Sequence, residues 1–403
     1  MKYLILIGDG MADRQLPSLG GKTPLQAAHT PNMDRLAREG FAGSAITLPK
    51  GLPNGSDVAN LSILGYDPRQ YYTGRAPFEA ASMGIDLAFN DVAFRCNLVT
   101  IGKNADGKQI MVDHSAGQLT SEEGKILIDA LNAEVAGDCD IKFYPGVSYR
   151  NIMIWPDGKA GADCTPPHDI LGKEISGYMP KGEGAELLSK LMDISMTLLE
   201  NNPVNKERVS KGKRPANSIW LWGQGLKPGL KSFSSEYGKK GAMISAVDLT
   251  KGLAVAAGLS VINVPGATGY LDTNYKGKAE YALKALKDVD LVYVHVEAPD
   301  EASHEGKTEE KIKAIEDFDA LVVGTVLEGL KDIGDCRVLL MPDHATPIEE
   351  RTHTADPVPF VIWDSGKPQA GFAGGYSEAI TAAGKSQIEA HKLMGLLIKG
   401  ELS

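Results

Sequence analysis

The chain has 403 residues, of which 43% are hydrophobic and 23% are charged, the composition of an ordinary globular protein. Its formal net charge of −10 argues against a general nucleic-acid-binding protein, which needs a basic face. This length exceeds one ordinary core, so we expect a large domain with an insertion or a second domain. No apolar run approaches the length of a transmembrane helix, and the four scattered cysteines lack CxxC spacing, which predicts free thiols in a reducing cytoplasm.

A glycine-flanked aspartate follows the first predicted strand, residues 3–7. The apolar run there is about six residues long, which is too short for the core of a signal peptide. Asp9 lies in the turn after it and has two interpretations. It either caps a helix or binds a metal at the carboxyl end of the strand.

Ser56 follows the turn signal Asn54-Gly55 and stands at the start of a predicted helix. One interpretation is that its hydroxyl only caps this helix. The other is that Ser56 is a nucleophile, because helix N-terminal amides stabilise developing negative charge and an adjacent metal would lower the pKa of the hydroxyl.

The pattern changes from about residue 91. The strand-like segments VAFRCNLVTI and IKFYPGVSYRNIMIW flank the helical segment SEEGKILIDALNAEV. This order is typical of a self-contained α+β unit rather than of a continued parallel sheet. The basic segment at residues 205–217, NKERVSKGKRPAN, ends this part of the chain. It is either a solvated linker or a source of cationic side chains for a phosphate.

Strands and helices alternate in both outer segments of the chain, which predicts an α/β fold with a doubly wound, mainly parallel sheet. One buried-strand pattern, residues 291–296, is interrupted only by His295, which we expect to point into packing. Asp300 and His304 follow it four residues apart, so on a helical turn both side chains point the same way. A carboxylate and an imidazole placed in this way can bind one divalent metal.

Two more segments supply candidate ligands. Asp343 and His344 end a strand-like run, and His353 lies in a later loop. In open α/β sheets the site lies at the carboxyl ends of the strands, so these residues can meet although they are distant in sequence. Together with Asp9, Asp300, His304 and Ser56 they provide what two divalent ions need, with Mn²⁺ favoured and Zn²⁺, Co²⁺ or Mg²⁺ as alternatives.

The chain is similar to a known family over its whole length. Its motifs, in order, resemble those of the archaeal-type cofactor-independent (2,3-bisphosphoglycerate-independent) phosphoglycerate mutases of the alkaline phosphatase superfamily: GDGMAD, NGSDVANLSILGYDP, PANSIWLWGQG, PGATGYLDTNY, APDEASHEG and RTHTADPVP. The resemblance implies an alkaline-phosphatase-like metal-binding domain made of residues 1–86 and 216–403. It also implies an inserted, smaller substrate-binding α+β domain at residues 87–215, which closes over the site.

The resemblance further implies a role for each candidate residue. One metal would be held by Asp300, His304 and His353. The other would be held by Asp9, Ser56, Asp343 and His344. Ser56 would also carry the phosphoryl group as phosphoserine. Contacts with the substrate are expected from His114, Arg95, Arg150 and Arg214, among which His114 is the best matched.

The activity implied is interconversion of 3-phosphoglycerate and 2-phosphoglycerate in glycolysis and gluconeogenesis, with two divalent metals and without 2,3-bisphosphoglycerate. The partner would be a small phosphorylated hydroxy acid, with no nucleic acid and no membrane. One departure concerns the bacterial-type mutases, which carry Arg-Asp before Thr-Pro-Pro where this chain has Asp163-Cys164. The proton-transfer group of the inserted domain is therefore not carried over.

Two alternatives remain at this stage. The same metal site could serve a phosphatase or a related phosphotransferase, such as the homoserine kinase proposed for a bacterial branch of the family. A kinase normally needs a triphosphate cradle, and the sequence contains no GxxxxGK[ST]. A binding protein on a degenerate scaffold would be missing ligands, whereas all seven residues are present. The sequence does not indicate an oligomeric state.

Overall fold

The computed structural model describes residues 1–135, 140–367, 369–384 and 386–401. Two compact units are present, one formed by Met1–Tyr72 with Gly229–Ser403 and the other by Thr73–Pro228. Among the described residues, no helix combines the length and the hydrophobicity that a membrane span requires. Three of the four cysteines are free thiols, namely Cys96, Cys164 and Cys336, and Cys139 lies outside the described residues.

The strands are numbered along the chain. They are β1 (Lys2–Gly8), β2 (Phe41–Ile46), β3 (Val92–Lys103), β4 (Gln109–Asp113), β5 (Lys142–Tyr144), β6 (Arg150–Trp155), β7 (Ala162–Asp163), β8 (Lys181–Gly182), β9 (Ser218–Leu226), β10 (Gly241–Ile244), β11 (Ser260–Val261), β12 (Leu291–Val296), β13 (Cys336–Met341), β14 (Val358–Asp364) and β15 (Gln387–Glu389).

The α-helices are numbered in the same way. They are α1 (Pro24–Ala27), α2 (Pro31–Glu39), α3 (Ser56–Ile63), α4 (Pro68–Tyr71), α5 (Ala76–Ser82), α6 (Ser121–Val135), α7 (Ala185–Glu200), α8 (Pro203–Ser210), α9 (Phe233–Tyr237), α10 (Asp248–Ala256), α11 (Tyr275–Ala285), α12 (Ala298–His304), α13 (Thr308–Asp317), α14 (Gly324–Leu330), α15 (Ala379–Ala382) and α16 (Leu393–Lys399). A π-helical segment, Phe318–Val323, joins α13 to α14.

The first unit contains an eight-stranded sheet with the order β11-β10-β12-β1-β13-β14-β2-β15. Its central strands β10, β12, β1 and β13 are parallel, and β14 runs antiparallel to both of its neighbours. Every residue of β12 and β13 is buried, as expected for parallel strands covered on both faces. The predicted mainly parallel α/β sheet is therefore confirmed.

The carboxyl ends of β12, β1 and β13 lie side by side. In the strand registers Gly8 is opposite Val296, and Ile7 is opposite Met341. The chain segments that leave these three strands therefore begin at one edge of the sheet, where open α/β sheets place their sites. This edge is where the sequence predicted that distant ligands meet.

The second unit contains a separate antiparallel sheet, which confirms the predicted α+β unit. Strand β3 pairs with β4, β6 and β9, and β5 pairs with β6. Helices α6 and α7 pack on this sheet through apolar side chains such as Leu127 and Leu191. All pairings within the five-stranded sheet are antiparallel, so its strands share no common carboxyl edge.

The bounds of the two compact units differ from those of the domains expected from sequence. The units begin and end at 72/73 and 228/229, whereas the expected bounds were 86/87 and 215/216. Helix α5 packs on β3 and β9, and β9 pairs along β3, which places both elements in the second unit. The expected domain assignment remains a prediction.

Candidate functional site

Asp9 is fully buried directly after β1, at the predicted sheet edge. Its main-chain N–H donates to the carbonyl of Val296 at 2.9 Å, which continues the pairing of β1 with β12. Gly10 follows with φ of +60°, and a Cβ atom there would lie 2.5 Å from Asp300 Oδ1. Glycine is therefore required at this position by both backbone conformation and close approach.

Asp300, His304 and His353 form one compact group. Asp300 Oδ2 lies 3.1 Å from His304 Nε2, and Asp300 Oδ1 lies 3.5 Å from His353 Nε2. The Nδ1 atoms of His304 and His353 face the carbonyls of Arg351 and Asn54 at 2.9 and 3.1 Å. Because a carbonyl only accepts, both Nδ1 atoms carry the hydrogen, so the neutral form of each ring, which a metal would bind, presents its Nε2 lone pair to the group. These Nε2 atoms are 3.0 Å apart, an arrangement that a shared cation stabilises.

Asp9, Asp343, His344 and Ser56 form a second group around His344. The Nε2 atom of His344 lies 3.1 Å from Ser56 Oγ, 3.4 Å from Asp9 Oδ1 and 3.5 Å from Asp343 Oδ2. Both oxygens of Asp9 are buried and have no hydrogen-bond partner among the described residues. Buried carboxylate oxygens are normally paired, so these atoms fit a cation that protein side chains do not supply.

Ser56 is not a helix cap in this structure. The N-cap of α3 is Gly55, and no side chain makes a capping hydrogen bond there. Ser56 is instead the first residue of the helix, with its hydroxyl directed at His344. This position contradicts the capping interpretation and leaves the role of Ser56 as a nucleophile as a prediction.

Thr346 connects the two groups. Its hydroxyl donates to Asp300 Oδ1 at 2.6 Å and lies 3.1 Å from His344 Nδ1. Since the single hydroxyl proton goes to Asp300, His344 Nδ1 donates to Thr346 and its Nε2 lone pair faces Ser56. Burial lowers the pKa of His344 to about 4, so the neutral, metal-binding form of the ring is favoured at pH 7.

Asn60 fixes the helix that carries Ser56. Its Nδ2 donates to the carbonyl of Ser56 and to Asp343 Oδ2, both at 2.8 Å, while Tyr293 donates to its Oδ1. The side chains of Asn60, Asp343 and Tyr293 are all fully buried. Thr346, Asn60 and Tyr293 were not predicted as site residues. Their sequence signals are weak: a threonine stands two residues after His344, and an asparagine stands one helical turn after Ser56.

The charges at this edge repel one another. Burial, together with the carboxylates of Asp343 and Glu297, raises the pKa of Asp9 well above its usual value. The pKa of Asp300 is held well below its usual range, because His304 and His353 outweigh the effect of burial. The donor set of carboxylates, imidazoles and a hydroxyl suits divalent cations such as Mn²⁺, Zn²⁺, Co²⁺ or Mg²⁺, and the unpartnered oxygens of Asp9 show that the residues fit them.

His295 is buried in the packed interior, as expected from the strand pattern. The pattern did not indicate that its Nε2 lies 3.1 Å from Asp9 Oδ2. Ligand atoms of Asp9, His295 and Asp343 all lie within 4.8 Å of one another. A strand pattern predicts burial but not which polar group a buried ring faces.

Arg95 lies in the second unit, buried on β3. Its Nε is 2.8 Å from Glu79 Oε2, and its guanidinium stacks over Trp222 at 4.4 Å from the ring centroid. Arg75 contacts the same carboxylate at 2.9 Å. Burial lowers the pKa of Arg95 to about 10, so the guanidinium remains charged at pH 7.

His114 follows β4 and joins a group of rings in the second unit. Its centroid lies 5.8 Å from Tyr149 and 6.1 Å from His168, and His168 lies 5.2 Å from Trp222. The guanidinium of Arg150 lies over Tyr149 at 5.1 Å. Burial lowers the pKa values of His114 and His168, and Arg95 lowers both further. His168 belongs to the TPPHD turn and was not assigned to a site from sequence.

Arg214 is placed differently from Arg95. Its Nη1 lies 2.6 Å from Asp113 Oδ2, and its side chain is 57% exposed. The Asp113 carboxylate also accepts from the main chain of Ser115 and Gly117, which shapes the loop around His114. Arg214 therefore supports this loop, and a role in binding an anion remains a prediction.

Comparisons with known proteins agree on one family. A sequence profile of the family PhosphMutase, 2,3-bisphosphoglycerate-independent phosphoglycerate mutase, matches residues 37–205. A 2,3-bisphosphoglycerate-independent phosphoglycerate mutase of Methanothrix thermoacetophila is 55% identical over 401 residues, covering 99% of this chain and 100% of the relative. A probable enzyme of the same name from Geobacter sulfurreducens is 53% identical over 399 residues, with 99% and 100% coverage.

Solved structures are similar over nearly the whole chain. A Pyrococcus horikoshii protein superposes with a TM-score of 0.83 at 32% identity, covering 99% of this chain and 96% of the other. A cofactor-independent phosphoglycerate mutase from Thermoplasma acidophilum superposes with a TM-score of 0.66 at 29% identity, with 99% of each chain covered. Similarity of this extent includes both compact units.

Proposed function

Because this chain belongs to the 2,3-bisphosphoglycerate-independent phosphoglycerate mutase family, we propose that it is an isomerase that interconverts 3-phosphoglycerate and 2-phosphoglycerate. It would act in cytoplasmic glycolysis and gluconeogenesis without 2,3-bisphosphoglycerate. The observation that carries this proposal is the position of Ser56. Its hydroxyl, free of any capping role, lies 3.1 Å from His344 Nε2 among buried carboxylates and imidazoles.

Seven residues would hold two divalent cations. Asp300, His304 and His353 would bind one, and Asp9, Ser56, Asp343 and His344 would bind the other. Bound divalent cations supply charge neutralisation at a phosphoryl group and lower the pKa of a coordinated hydroxyl. Thr346 and the carbonyls of Asn54 and Arg351 hold the three imidazoles in the tautomers that present Nε2 to the site.

Ser56 would be the nucleophile. A bond forms between its Oγ and phosphorus as the hydroxyl proton is given up, while the bond from phosphorus to the glycerate oxygen breaks and that oxygen takes up a proton, giving phosphoserine and glycerate with no net change in protons. Attack by the other glycerate hydroxyl then reverses these changes and completes the shift. The first-turn amides of α3 favour the negative charge that develops here, and Asn60 keeps Ser56 and Asp343 in register through its two hydrogen bonds.

Arg95, Arg150, Arg214 and His114 are proposed to contact the phosphate and carboxylate of the substrate. Guanidinium groups suit these anions because they donate two parallel hydrogen bonds to a planar pair of oxygens. Arg95 is the best prepared of the arginines, since Glu79 and Trp222 already fix its position.

The decisive experiment compares Ser56→Ala with Ser62→Ala. Ser62 lies on the same helix and is fully buried, so its substitution controls for changes to α3. With metal-loaded protein and 3-phosphoglycerate in an enolase-coupled assay, we expect Ser56→Ala to lose essentially all turnover and Ser62→Ala to retain it. Substantial mutase activity in Ser56→Ala would contradict the proposal. Wild-type turnover of homoserine with ATP, in place of mutase activity, would assign the site to a phosphotransferase.

A further inference from the structure

The proposed two-metal set leaves several buried polar atoms unused on the other side of Asp9. Four such atoms near β1 and β12 have no hydrogen-bond partner among the described residues: Asp9 Oδ1, Asp9 Oδ2, His295 Nε2 and Glu297 Oε2. Asp9 Oδ1 faces His344, at 3.4 Å, which belongs to the proposed metal set. Asp9 Oδ2 faces His295, which belongs to no proposed ligand set. Leaving such atoms unpaired in the interior is destabilising, so a bound partner is expected.

His295 and Asp9 do not satisfy each other. His295 Nε2 and Asp9 Oδ2 are 3.1 Å apart, close enough for a hydrogen bond, yet neither atom is in hydrogen-bonding geometry with any described group. Lys278 Nζ donates to the main-chain carbonyl of His295 at 2.9 Å and makes no hydrogen bond with Asp9 or with His295 Nε2. The lone pairs of His295 Nε2 and of the Asp9 carboxylate therefore face the same space, and a cation would fit there.

The other side of the His295 ring has the partners typical of a metal-binding histidine. Its Nδ1 lies 3.5 Å from Glu297 Oε2 and 3.5 Å from Ser245 Oγ. Metal-ligating histidines usually donate their second N–H to a carboxylate or another oxygen, which fixes the ring and directs the remaining lone pair at the metal. Here Ser245 Oγ is within hydrogen-bond distance of Nδ1, and the Glu297 carboxylate lies equally close without a hydrogen bond of its own. Both oxygens favour a hydrogen on Nδ1, which leaves the Nε2 lone pair directed at Asp9.

A third ligand is close. Ligand atoms of Asp9, His295 and Asp343 lie within 4.8 Å of one another, and all three side chains are fully buried. We propose that Asp9, His295 and Asp343 hold a third divalent cation beside the two of the proposed catalytic site, and that Glu297 orients His295. Mixed imidazole and carboxylate ligands suit Mn²⁺, Co²⁺ or Zn²⁺. Asp9 and Asp343 would be shared between neighbouring cations, which would hold both carboxylates in place.

The test is metal stoichiometry in the full chain. Protein stripped with a chelator is titrated with Mn²⁺ by equilibrium dialysis and elemental analysis, without substrate. Wild type is expected to bind three equivalents, and His295→Gln is expected to bind two. The matched control is His391→Gln, which changes a histidine of the same unit whose contact with Glu389 is 3.9 Å, and it should bind three. Two equivalents in wild type, or three in His295→Gln, would overturn the proposal.

Glu297→Gln provides a second measurement that does not depend on removing a ligand. The change keeps the size of the side chain but removes the charge that orients His295. We expect three equivalents to bind, with the affinity for one of them about 10- to 100-fold weaker. Glu328→Gln, on α14, changes a carboxylate that contacts Lys331 at the surface and should leave all affinities unchanged. An unaltered affinity in Glu297→Gln would refute the orienting role, and because no substrate is present, failure of mutase activity would not affect either result.

Discussion

Charged side chains are buried in both compact units, but the pairing of these side chains differs between the two. At the sheet edge of the first unit, acids lie beside acids, and both oxygens of Asp9 have no partner among the described residues. In the second unit, Arg95 is paired with Glu79 and stacked on Trp222. In the first cluster the repulsion between carboxylates is relieved only when cations bind, whereas in the second cluster the charges of Arg95 and Glu79 already balance each other.

This difference follows from what each cluster is proposed to bind. A site for divalent cations needs several negative ligands at close range, and their repulsion is a cost that folding must offset elsewhere. A site for an anionic substrate can keep its guanidinium fixed by a neighbouring carboxylate until the anion arrives. Removing a charge should therefore have opposite effects on the stability of the two units.

The largest effect is expected for Asp9→Asn, measured without and with metal. The variant should lose about 10³-fold or more in turnover, because metal-bound charge stabilisation is worth several kcal/mol. In the metal-free state the same change should raise the free energy of unfolding by about 0.5–2 kcal/mol, since it removes a buried carboxyl whose charged form is disfavoured by burial and by the neighbouring acids. Urea unfolding in EDTA and the enolase-coupled assay measure the two quantities.

Asp129→Asn is the control, since Asp129 is 54% exposed and pairs with Lys125 on the surface of α6. This substitution should leave turnover unchanged and should change the free energy of unfolding by no more than about 0.5 kcal/mol, as is usual for surface substitutions. If metal-free Asp9→Asn protein were less stable than wild type, repulsion among the carboxylates near Asp9 would not be destabilising. The proposed difference between the two units would then be wrong.

The pH dependence of the stability of the metal-free protein tests the same repulsion among buried acids. Burial raises the pKa of Glu297 to about 8 and also raises the pKa of Asp9, so the folded state binds more protons than the unfolded state above pH 4.5. These two carboxyls therefore contribute a fall in the free energy of unfolding as pH rises from about 4.5 to 8. Asp9→Asn should flatten this fall in urea unfolding measured between pH 5 and pH 8 in EDTA, and an unchanged slope would contradict the assignment.

The opposite behaviour is expected for Arg95→Leu in the second unit. This change leaves Glu79 buried with Arg75 as its remaining contact, and breaking a buried pair typically costs 3–5 kcal/mol, so we expect a loss of about 3 kcal/mol. Urea unfolding at pH 7 measures it. Arg95 is also a proposed substrate contact, so any remaining activity should show a raised KM.

Arg150→Leu is the matched control for this loss. Arg150 lies on β6, which pairs with β3, and its side chain is exposed. Its removal should change stability by no more than about 0.5 kcal/mol, while KM rises if Arg150 contacts the substrate. Equal losses of stability in the two variants would mean that burial and pairing do not distinguish Arg95.

The first cluster was largely predictable from sequence, and the second was not, for a topological reason. Parallel strands end at one edge, so the positions of Asp9, Asp300 and Asp343 just after predicted strands were enough to predict that they meet. In the second unit the strands are antiparallel, and His168 and Trp222 reach the same region from a turn and from β9 with no shared strand end. A sequence pattern gives no signal for such a meeting.

Even in the first unit, sequence predicted ligands better than the groups that orient them. Thr346 and Asn60 act through the second hydrogen bond of a ligand, and this depends on tertiary placement rather than on spacing. His295 was expected to be buried, and it is, but the strand pattern could not reveal that Nε2 faces Asp9. The bounds of the compact units differ from the expected domain bounds, because the pairing of β9 with β3 is a long-range contact that the sequence does not indicate.

The smallest effect is expected for Tyr293→Phe, which tests these orienting groups. Tyr293 donates to Asn60 Oδ1 and thereby directs Asn60 Nδ2 towards Asp343 and the Ser56 carbonyl. Losing the hydroxyl should lower the free energy of unfolding by about 1–2 kcal/mol, because a buried acceptor is left unpaired. It should also lower kcat several-fold with KM unchanged, since Ser56 would be less well held while substrate contacts stay intact.

Tyr376→Phe separates positioning from general loss of stability. Tyr376 is a buried tyrosine of the same unit that donates to the carbonyl of Pro359 at 2.9 Å. Its variant should lose a similar amount of stability and keep wild-type kcat. In an Asn60→Ala background the Tyr293→Phe change should have no further effect on kcat, because the hydroxyl acts only through Asn60. If the losses of kcat were additive, Tyr293 would act on turnover through a group other than Asn60. Asn60 would then position Ser56 without the help of Tyr293.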